Sequence, residues 1–335
     1  MVEDSFFKNE MNKLQFISIS NFLLQCGDLE KFELSYQTFG QPLGMAPIVL
    51  VNHALTGNSN VSGENGWWNN LVGENKVIDV KKYSVIAFNI PGNGFDGKNE
   101  NLIQNYKKIT SKDIAAVFWK GLEYLKINQL YAIIGGSLGG AIAWEMAFIK
   151  PKSIQYIIPI ATNWKVSDWI VGNVLVQDAI LNNSINPIHD ARLHAMLLYR
   201  TPQSLALKFE GKKQEKQDVF KVESWLLHHG EKLQNRFQLQ AYKLMNHLLK
   251  TIGSFYTEID WIEIVENSNL KICQIAINSD YFFTSDSNLE MHYLLSKYTN
   301  YITYNEINSI HGHDAFLIEY EKLNDILKPI FTTNN

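Results

Sequence analysis

Ile133-Ile134-Gly135-Gly136-Ser137-Leu138-Gly139-Gly140 is the stretch that decides how this chain is read. A short, continuously apolar run enters it, as expected of a strand covered on both faces, and residues 138–150 leave it as a helix stopped by Pro151. Between them stands G-x-S-x-G. Glycine on either side lets the chain turn sharply without a Cβ clash, so the serine hydroxyl is presented at the top of the sheet above a helix N-terminus that favours negative charge. A glycine-rich turn with an incidental serine is the bland alternative, and the strand before and helix after weigh against it. Ser137 is therefore the candidate nucleophile and the Leu138 backbone N–H one candidate oxyanion donor. The second donor belongs on the loop after an earlier strand, where His53-Ala54-Leu55-Thr56-Gly57 follows residues 48–52; the Leu55 N–H is the candidate. His53 precedes the nucleophile, outside the chain order serine, acid, histidine, and reads as a residue that braces its loop.

Two further groups are needed to activate a serine: a base and a carboxylate that orients it. Ser309-Ile310-His311-Gly312-His313-Asp314 lies between the last strand and the last helix, and His313, at the loop-to-helix junction, is the preferred base, with His311 the alternative. Ile275-Ala276-Ile277-Asn278-Ser279-Asp280 ends a strand on an aspartate, which makes Asp280 the candidate acid. Asp286 lies farther into the next loop and reads as a helix cap or solvated turn.

Outward from these motifs, strands are expected at residues 14–20, 32–39, 48–52, 84–89, 131–134, 155–160, 272–277 and 301–306. The first two alternate apolar and polar residues, whereas the middle ones are continuously apolar. The fold class is thus α/β, with a mostly parallel eight-stranded sheet, an antiparallel edge and helices on both faces. Helices are expected over 111–126, opened by a Thr110–Asp113 capping box, and over 138–150, 288–298 and 315–327. About 110 residues separate the strands ending near 161 and starting near 271, too long for an ordinary connection. That segment reads as an inserted helical lid rich in aromatics (Trp164, Trp169, Trp225, Phe237, Tyr242), with its clearest helices at 219–227, 231–239 and 241–252. The domain reading is a core of 1–162 and 270–335 with a lid of 163–269.

Composition narrows the partners. Apolar residues make up 46% of the 335, and the formal charge is −4 with no block of like charge, so neither a nucleic-acid footprint nor a membrane-surface patch is visible and a small-molecule substrate is expected. Cys26 and Cys273 match no metal-ligand or redox spacing and read as structural thiols of a reduced protein. No metal is expected. Residues 1–12 lack the basic start and apolar stretch of a signal peptide, no run of about 18 apolar residues exists, and a cytoplasmic location is expected. The only arginines, Arg192, Arg200 and Arg236, fall in the central segment, where a planar fork suits a carboxylate or phosphate better than lysine does.

Taken together, the motifs resemble the homoserine O-acetyltransferase family, a branch of the α/β-hydrolase fold. The resemblance runs through His53 to Gly57, Gly66-Trp67-Trp68, Leu71-Val72-Gly73, Gly135 to Gly140, Ser279-Asp280 and Gly312 to Leu317, and in the lid through Ala191-Arg192, Tyr199-Arg200-Thr201, Val222-Glu223-Ser224-Trp225, Gly230-Glu231-Lys232 and Arg236-Phe237. It implies transfer of an acyl group from acyl-CoA, acetyl-CoA foremost, to Ser137 and then to the hydroxyl of homoserine or a related amino alcohol, in a ping-pong scheme serving methionine biosynthesis. It implies no permanently bound cofactor, Arg200 for the substrate carboxylate, Asp314 for the substrate ammonium, and a homodimer paired through lid helices. Three stretches depart from the family pattern: Asn89 to Gly97, Val176-Gln177-Asp178 and Phe282-Phe283-Thr284. An esterase or thioesterase using the same three residues, and a catalytically silent family member serving as a binding module, are the competing expectations.

Overall fold

The eight apolar runs pair into one sheet. In the computed structural model, which describes residues 13–214 and 218–332, the strands in chain order are β1 (Gln15–Leu23), β2 (Leu29–Gly40) and β3 (Ile48–Asn52), then β4 (Val72–Gly73) and β5 (Ile78–Asp79), then β6 (Ser84–Phe88), β7 (Leu130–Gly136), β8 (Ile154–Ile160), β9 (Lys271–Ile277) and β10 (Ile302–Ile307). The main sheet runs β1-β2-β6-β3-β7-β8-β9-β10, while β4 and β5 form a small parallel annex. β1 pairs antiparallel with β2, and β2 with β6; every later pairing is parallel. The expected readings of residues 1–12, including the absence of a signal peptide there, and the outermost parts of the domain ranges lie outside the described residues.

Alternation along the central strands explains their unbroken apolarity. Leu50, Ile133 and Ile157 face one layer with Trp144 and Trp261, while Val49, Val51, Ile134 and Ile158 face the other with Phe316 and Leu327. A strand covered on both faces has no polar side to show. The helices, in chain order, are α1 (Ser111–Tyr124), α2 (Leu138–Ile149), α3 (Asp168–Asn183), α4 (Pro187–Tyr199), α5 (Pro202–Phe209), α6 (Lys221–Gln234), α7 (Leu239–Leu249), α8 (Glu258–Glu266), α9 (Ser285–Leu295) and α10 (Tyr320–Phe331). α1 opens with the capping box expected of Thr110 and Asp113, each side chain bonding the other's backbone N–H. Because β3, β7, β9 and β10 run parallel and end in register, the segments that follow them emerge along one edge of the sheet.

Four expectations need correction. The helices expected at 219–227 and 231–239 do not break at 228–230: α6 runs unbroken from Lys221 to Gln234, and Leu239 already opens α7. Gly230 lies inside α6, where a Cβ would sit 2.4 Å from His189 Cδ2, so this glycine serves close helix packing and not a break. The helix expected at 315–327 is a 3-10 turn, Gly312–Leu317, followed by α10, because the chain must first hold His313 against the sheet. The helix expected at 288–298 begins and ends three residues earlier, at Ser285 and Leu295, with Thr284 as its N-cap residue. Of the two cysteines, Cys273 is buried but Cys26 is exposed, so only one packs as a structural thiol.

Between β8 and β9 the described chain forms helices α3 to α8, which rest on the loop edge of the sheet. Three of its side chains each reach a backbone carbonyl on a different loop. Arg236 Nη1 donates to Thr56 O at 3.0 Å, Trp169 Nε1 to Tyr281 O at 2.6 Å, and the Thr201 hydroxyl to Ile310 O. Those loops follow β3, β9 and β10.

Candidate active site

Ser137 occupies a backbone conformation that most residues avoid, φ +55° and ψ −128°, between the end of β7 and the first turn of α2. Such strain costs about 1–3 kcal/mol and persists only when the surroundings dictate it. They do so here through two close approaches. A Cβ on Gly135 would lie 2.5 Å from the Gly139 carbonyl carbon, and one on Gly139 would lie 2.3 Å from Asn52 O. The Ser137 N–H donates to Ile160 O at 2.8 Å, and Asn52 Nδ2 donates to Gly139 O at 3.2 Å, so the turn is fastened to both neighbouring strands.

The structure brings Ser137, His313 and Asp280 together. His313 Nε2 lies 2.9 Å from Ser137 Oγ, and His313 Nδ1 lies 2.7 Å from Asp280 Oδ2. The other carboxylate oxygen accepts the Phe282 and Phe283 N–H groups at 2.7 and 3.0 Å, so both oxygens of Asp280 are held. With Nδ1–H donating to the carboxylate, Nε2 is left to accept the serine proton. All three are at least 95% buried: Ser137 is 5%, Asp280 4% and His313 3% exposed. Tyr199, Phe282, Phe316 and Phe283 surround the imidazole with ring centres 5.3–5.8 Å away. That dry wall strengthens charge interactions inside it.

The competing residues stand elsewhere. His311 Nδ1 lies 3.0 Å from Ser204 Oγ, and Asp286 sits in the first turn of α9. The buried His53 lies beside the Leu55 loop, with Nδ1 2.7 Å from Ala54 O and Nε2 accepting the Ile90 N–H at 3.0 Å, so it braces that loop. Among the described residues the Leu55 N–H meets no protein acceptor. The Leu138 N–H belongs to the first turn of α2, whose leading N–H groups have no partner within the helix.

The two substrate-binding candidates differ. Asp314 directly follows the histidine on the 3-10 turn; burial pushes its carboxyl above the usual carboxylate range, against the pull of Arg192, His313 and Arg200. Arg200 is turned aside: its Nη2 and Nε donate to Ser204 Oγ at 2.7 and 3.2 Å, and Nη2 is 3.4 Å from His311 Nδ1. Arg192 instead lies over the Tyr199 ring at 5.6 Å, and that ring lies against His313. Arg192 forms no ion pair among the described residues, and its charge is the largest attraction acting on Asp314. In the sequence Arg192 stands among the three central arginines and in the Ala191-Arg192 stretch of the family resemblance, with no binding role assigned to it. The available signal was helical spacing, since Arg192 and Tyr199 are seven residues apart on α4 and so share a face. Tyr199, whose hydroxyl burial pushes up to about 12, was not singled out as a site residue. A narrow cavity bordered by Leu55, Gln177, Tyr199, Tyr242, Leu249 and Phe282 lies between the helical segment and this floor.

Among the described residues no cluster of three or more His, Cys, Asp or Glu side chains could hold a metal ion, and no helix is long and apolar enough to cross a membrane.

Comparison with known proteins agrees with this fold. Residues 47–246 match a family model described as the alpha/beta hydrolase fold. The chain is 33% identical to the homoserine O-acetyltransferase of Cyclobacterium marinum, with 97% of each chain covered. Among solved structures it resembles a homoserine O-acetyltransferase from Bacillus anthracis, with TM-score 0.83, 18% identity and coverage of 96% of this chain and 98% of that one. It also resembles esterase E22, with TM-score 0.81, 15% identity and coverage of 95% and 99%. At such identities the structural likeness speaks for the fold alone.

Proposed function

This chain belongs to the homoserine O-acetyltransferase family of α/β-hydrolase-fold enzymes, and from that premise we propose that it moves an acetyl group from acetyl-CoA to the hydroxyl of homoserine through an acetyl-Ser137 intermediate. The observation that carries the mechanism is the continuous Asp280–His313–Ser137 hydrogen-bond chain.

In the first half-reaction His313 Nε2 takes the Ser137 proton as Oγ attacks the thioester carbonyl. The oxygen charge that develops is met by the Leu138 and Leu55 N–H groups, each such donor being worth about 10²–10³ in rate. The C–S bond breaks, the departing sulfur takes the proton from His313 and leaves as the CoA thiol, and the acetyl group stays on Oγ. In the second half-reaction His313 deprotonates the homoserine hydroxyl, which attacks the acetyl ester; the C–Oγ bond breaks and Ser137 regains its proton. Asp280 stays ionised throughout and holds the imidazole.

Arg192, rather than Arg200, is the residue we assign to the acceptor's carboxylate: it is the unpaired fork beside Tyr199, while Arg200 is occupied by Ser204. Asp314 takes the ammonium. A zwitterion spanning the two would give each of them an opposite charge of its own. We read residues 163–269 as a lid that steadies the catalytic loops and excludes water. The apolar residues it leaves in water, Leu175 at 70% and Leu207 at 66% exposed, support pairing of two copies through its helices. In this reading the enzyme is a soluble member of methionine biosynthesis.

Hydrolysis is the competing outcome of the same triad whenever water reaches the acyl-enzyme. Product analysis decides between them. Purified protein given acetyl-CoA should release CoA thiol at a useful rate only when homoserine is added, and should yield O-acetylhomoserine. Equal release in buffer alone, with acetate as product, would favour the hydrolase.

A further inference from the structure

We propose that His53 is a positioning residue for the oxyanion site: its side chain fixes the Ala54–Leu55 peptide and couples it to the turn at residues 90–93. This rests on the reading of Leu55 N–H as an oxyanion donor.

The geometry is specific to one peptide unit. His53 Nδ1 lies 2.7 Å from Ala54 O, the carbonyl of the same planar amide whose other end is the Leu55 N–H. In a trans amide the C=O and N–H point opposite ways, so holding the oxygen aims the hydrogen. The Gly57 N–H donates to the same oxygen at 2.9 Å. Donors on a carbonyl also polarise its amide and strengthen the N–H as a donor.

The other ring nitrogen decides which way His53 works. Nε2 faces the Ile90 N–H at 3.0 Å, which can only donate, so Nε2 accepts and the ring proton must sit on Nδ1, against Ala54 O. Asn93 Nδ2, 3.4 Å from Nε2, also donates at 3.1 Å to Asn89 Oδ1. That oxygen accepts the Ser59 N–H at 2.8 Å. Asn89 to Gly97, the stretch that departs from the family pattern, thereby sets the tautomer of the residue that aims Leu55. Burial lowers the His53 imidazole to about pKa 4, so this neutral tautomer persists across the working range.

Two substitutions separate positioning from plain support. His53→Asn places an amide N–H where Nδ1 was and loses the acceptor for Ile90; His53→Gln keeps an acceptor near the Nε2 position and loses the donor to Ala54. Acylation by p-nitrophenyl acetate, read as the burst rate, needs no homoserine. The inference expects the rate constant of His53→Gln to fall about 10–100-fold with little change in ester KM, while His53→Asn stays within about threefold of wild type despite a lower melting temperature. Equal rates for His53→Gln and wild type, or rates in both variants that simply track melting temperature, would overturn it. Wild-type reactivity reports separately on the serine chemistry: a wild type that forms no acyl-enzyme would overturn that reading and this inference with it.

Discussion

The Asp280 carboxylate divides its two oxygens between two tasks, with Oδ2 on His313 Nδ1 at 2.7 Å and Oδ1 on the backbone N–H groups of Phe282 and Phe283. The backbone side fixes the rotamer. The imidazole side then has no freedom in which nitrogen carries its proton.

Asp280→Asn tests that division. The amide oxygen would keep the two backbone N–H groups, which leaves Nδ2–H facing His313 Nδ1 and forces the ring proton onto Nε2, the nitrogen that must accept from Ser137. The expected result is a kcat loss of about 10⁴-fold with an unchanged circular-dichroism melt. A variant within tenfold of wild type would contradict the assignment.

Arg192 and Arg200 are separable by the same measurement. Losing a charged hydrogen bond of about 1.5–3 kcal/mol should raise KM for homoserine about 10–100-fold in Arg192→Lys, since lysine cannot reproduce the fork. KM for acetyl-CoA should hardly move. Arg200→Lys, whose guanidinium serves Ser204, should change homoserine KM less than about threefold. The reverse ranking would return the role to Arg200.

Glu145 gives a pH prediction independent of catalysis. This buried residue on α2 accepts from the Ser111 hydroxyl at 2.6 Å and the Gly253 N–H at 3.0 Å, and desolvation raises its carboxyl above the ordinary 4.5. A carboxyl raised in the folded state holds a proton that the unfolded chain has released. Its contribution to stability is therefore whole below about 4.5 and is lost as pH climbs through the folded value. Glu145→Gln keeps both accepted bonds without the ionisation. It should melt higher than wild type near pH 8 and lose that advantage toward pH 4.5; a constant offset across the range would argue against burial as the cause.

Gly139→Ala asks whether the strained turn is held by contact with β3. The new methyl would lie 2.3 Å from Asn52 O, a backbone atom that cannot swing away. Overpacking of this kind costs about 1–3 kcal/mol, and displacing the serine by about 1 Å can lower the rate about 100-fold. Wild-type activity with an unshifted melt would show the elbow to be more yielding than the contacts require.

The sheet was legible in the sequence because its central strands are covered on both faces and so read as unbroken apolar runs; Ile48 to Asn52 matches β3 residue for residue. The positions of Ser137, Asp280 and His313 were legible because each follows a strand in the order serine, acid, histidine. The helical segment was harder. α3 places Ile170, Val174 and Leu181 inside while Trp169, Val171, Leu175 and Val176 stand in water, so apolar residues circle the helix and no clean stripe marks it. Arg192 and Arg200 could not be told apart by residue type, because the distinction is made by Ser204 and His311, the latter more than a hundred residues away in the chain. β4 and β5, two residues each, carry no periodicity at all.

Intact-protein mass spectrometry followed by peptide mapping, after brief exposure to acetyl-CoA without acceptor, tests the central claim most directly. The expected result is a gain of one acetyl group on the peptide containing Ser137, discharged when homoserine is added and absent from Ser137→Ala. Turnover to O-acetylhomoserine with no acetyl group ever found on Ser137, or an acetyl group carried on another residue, would contradict it.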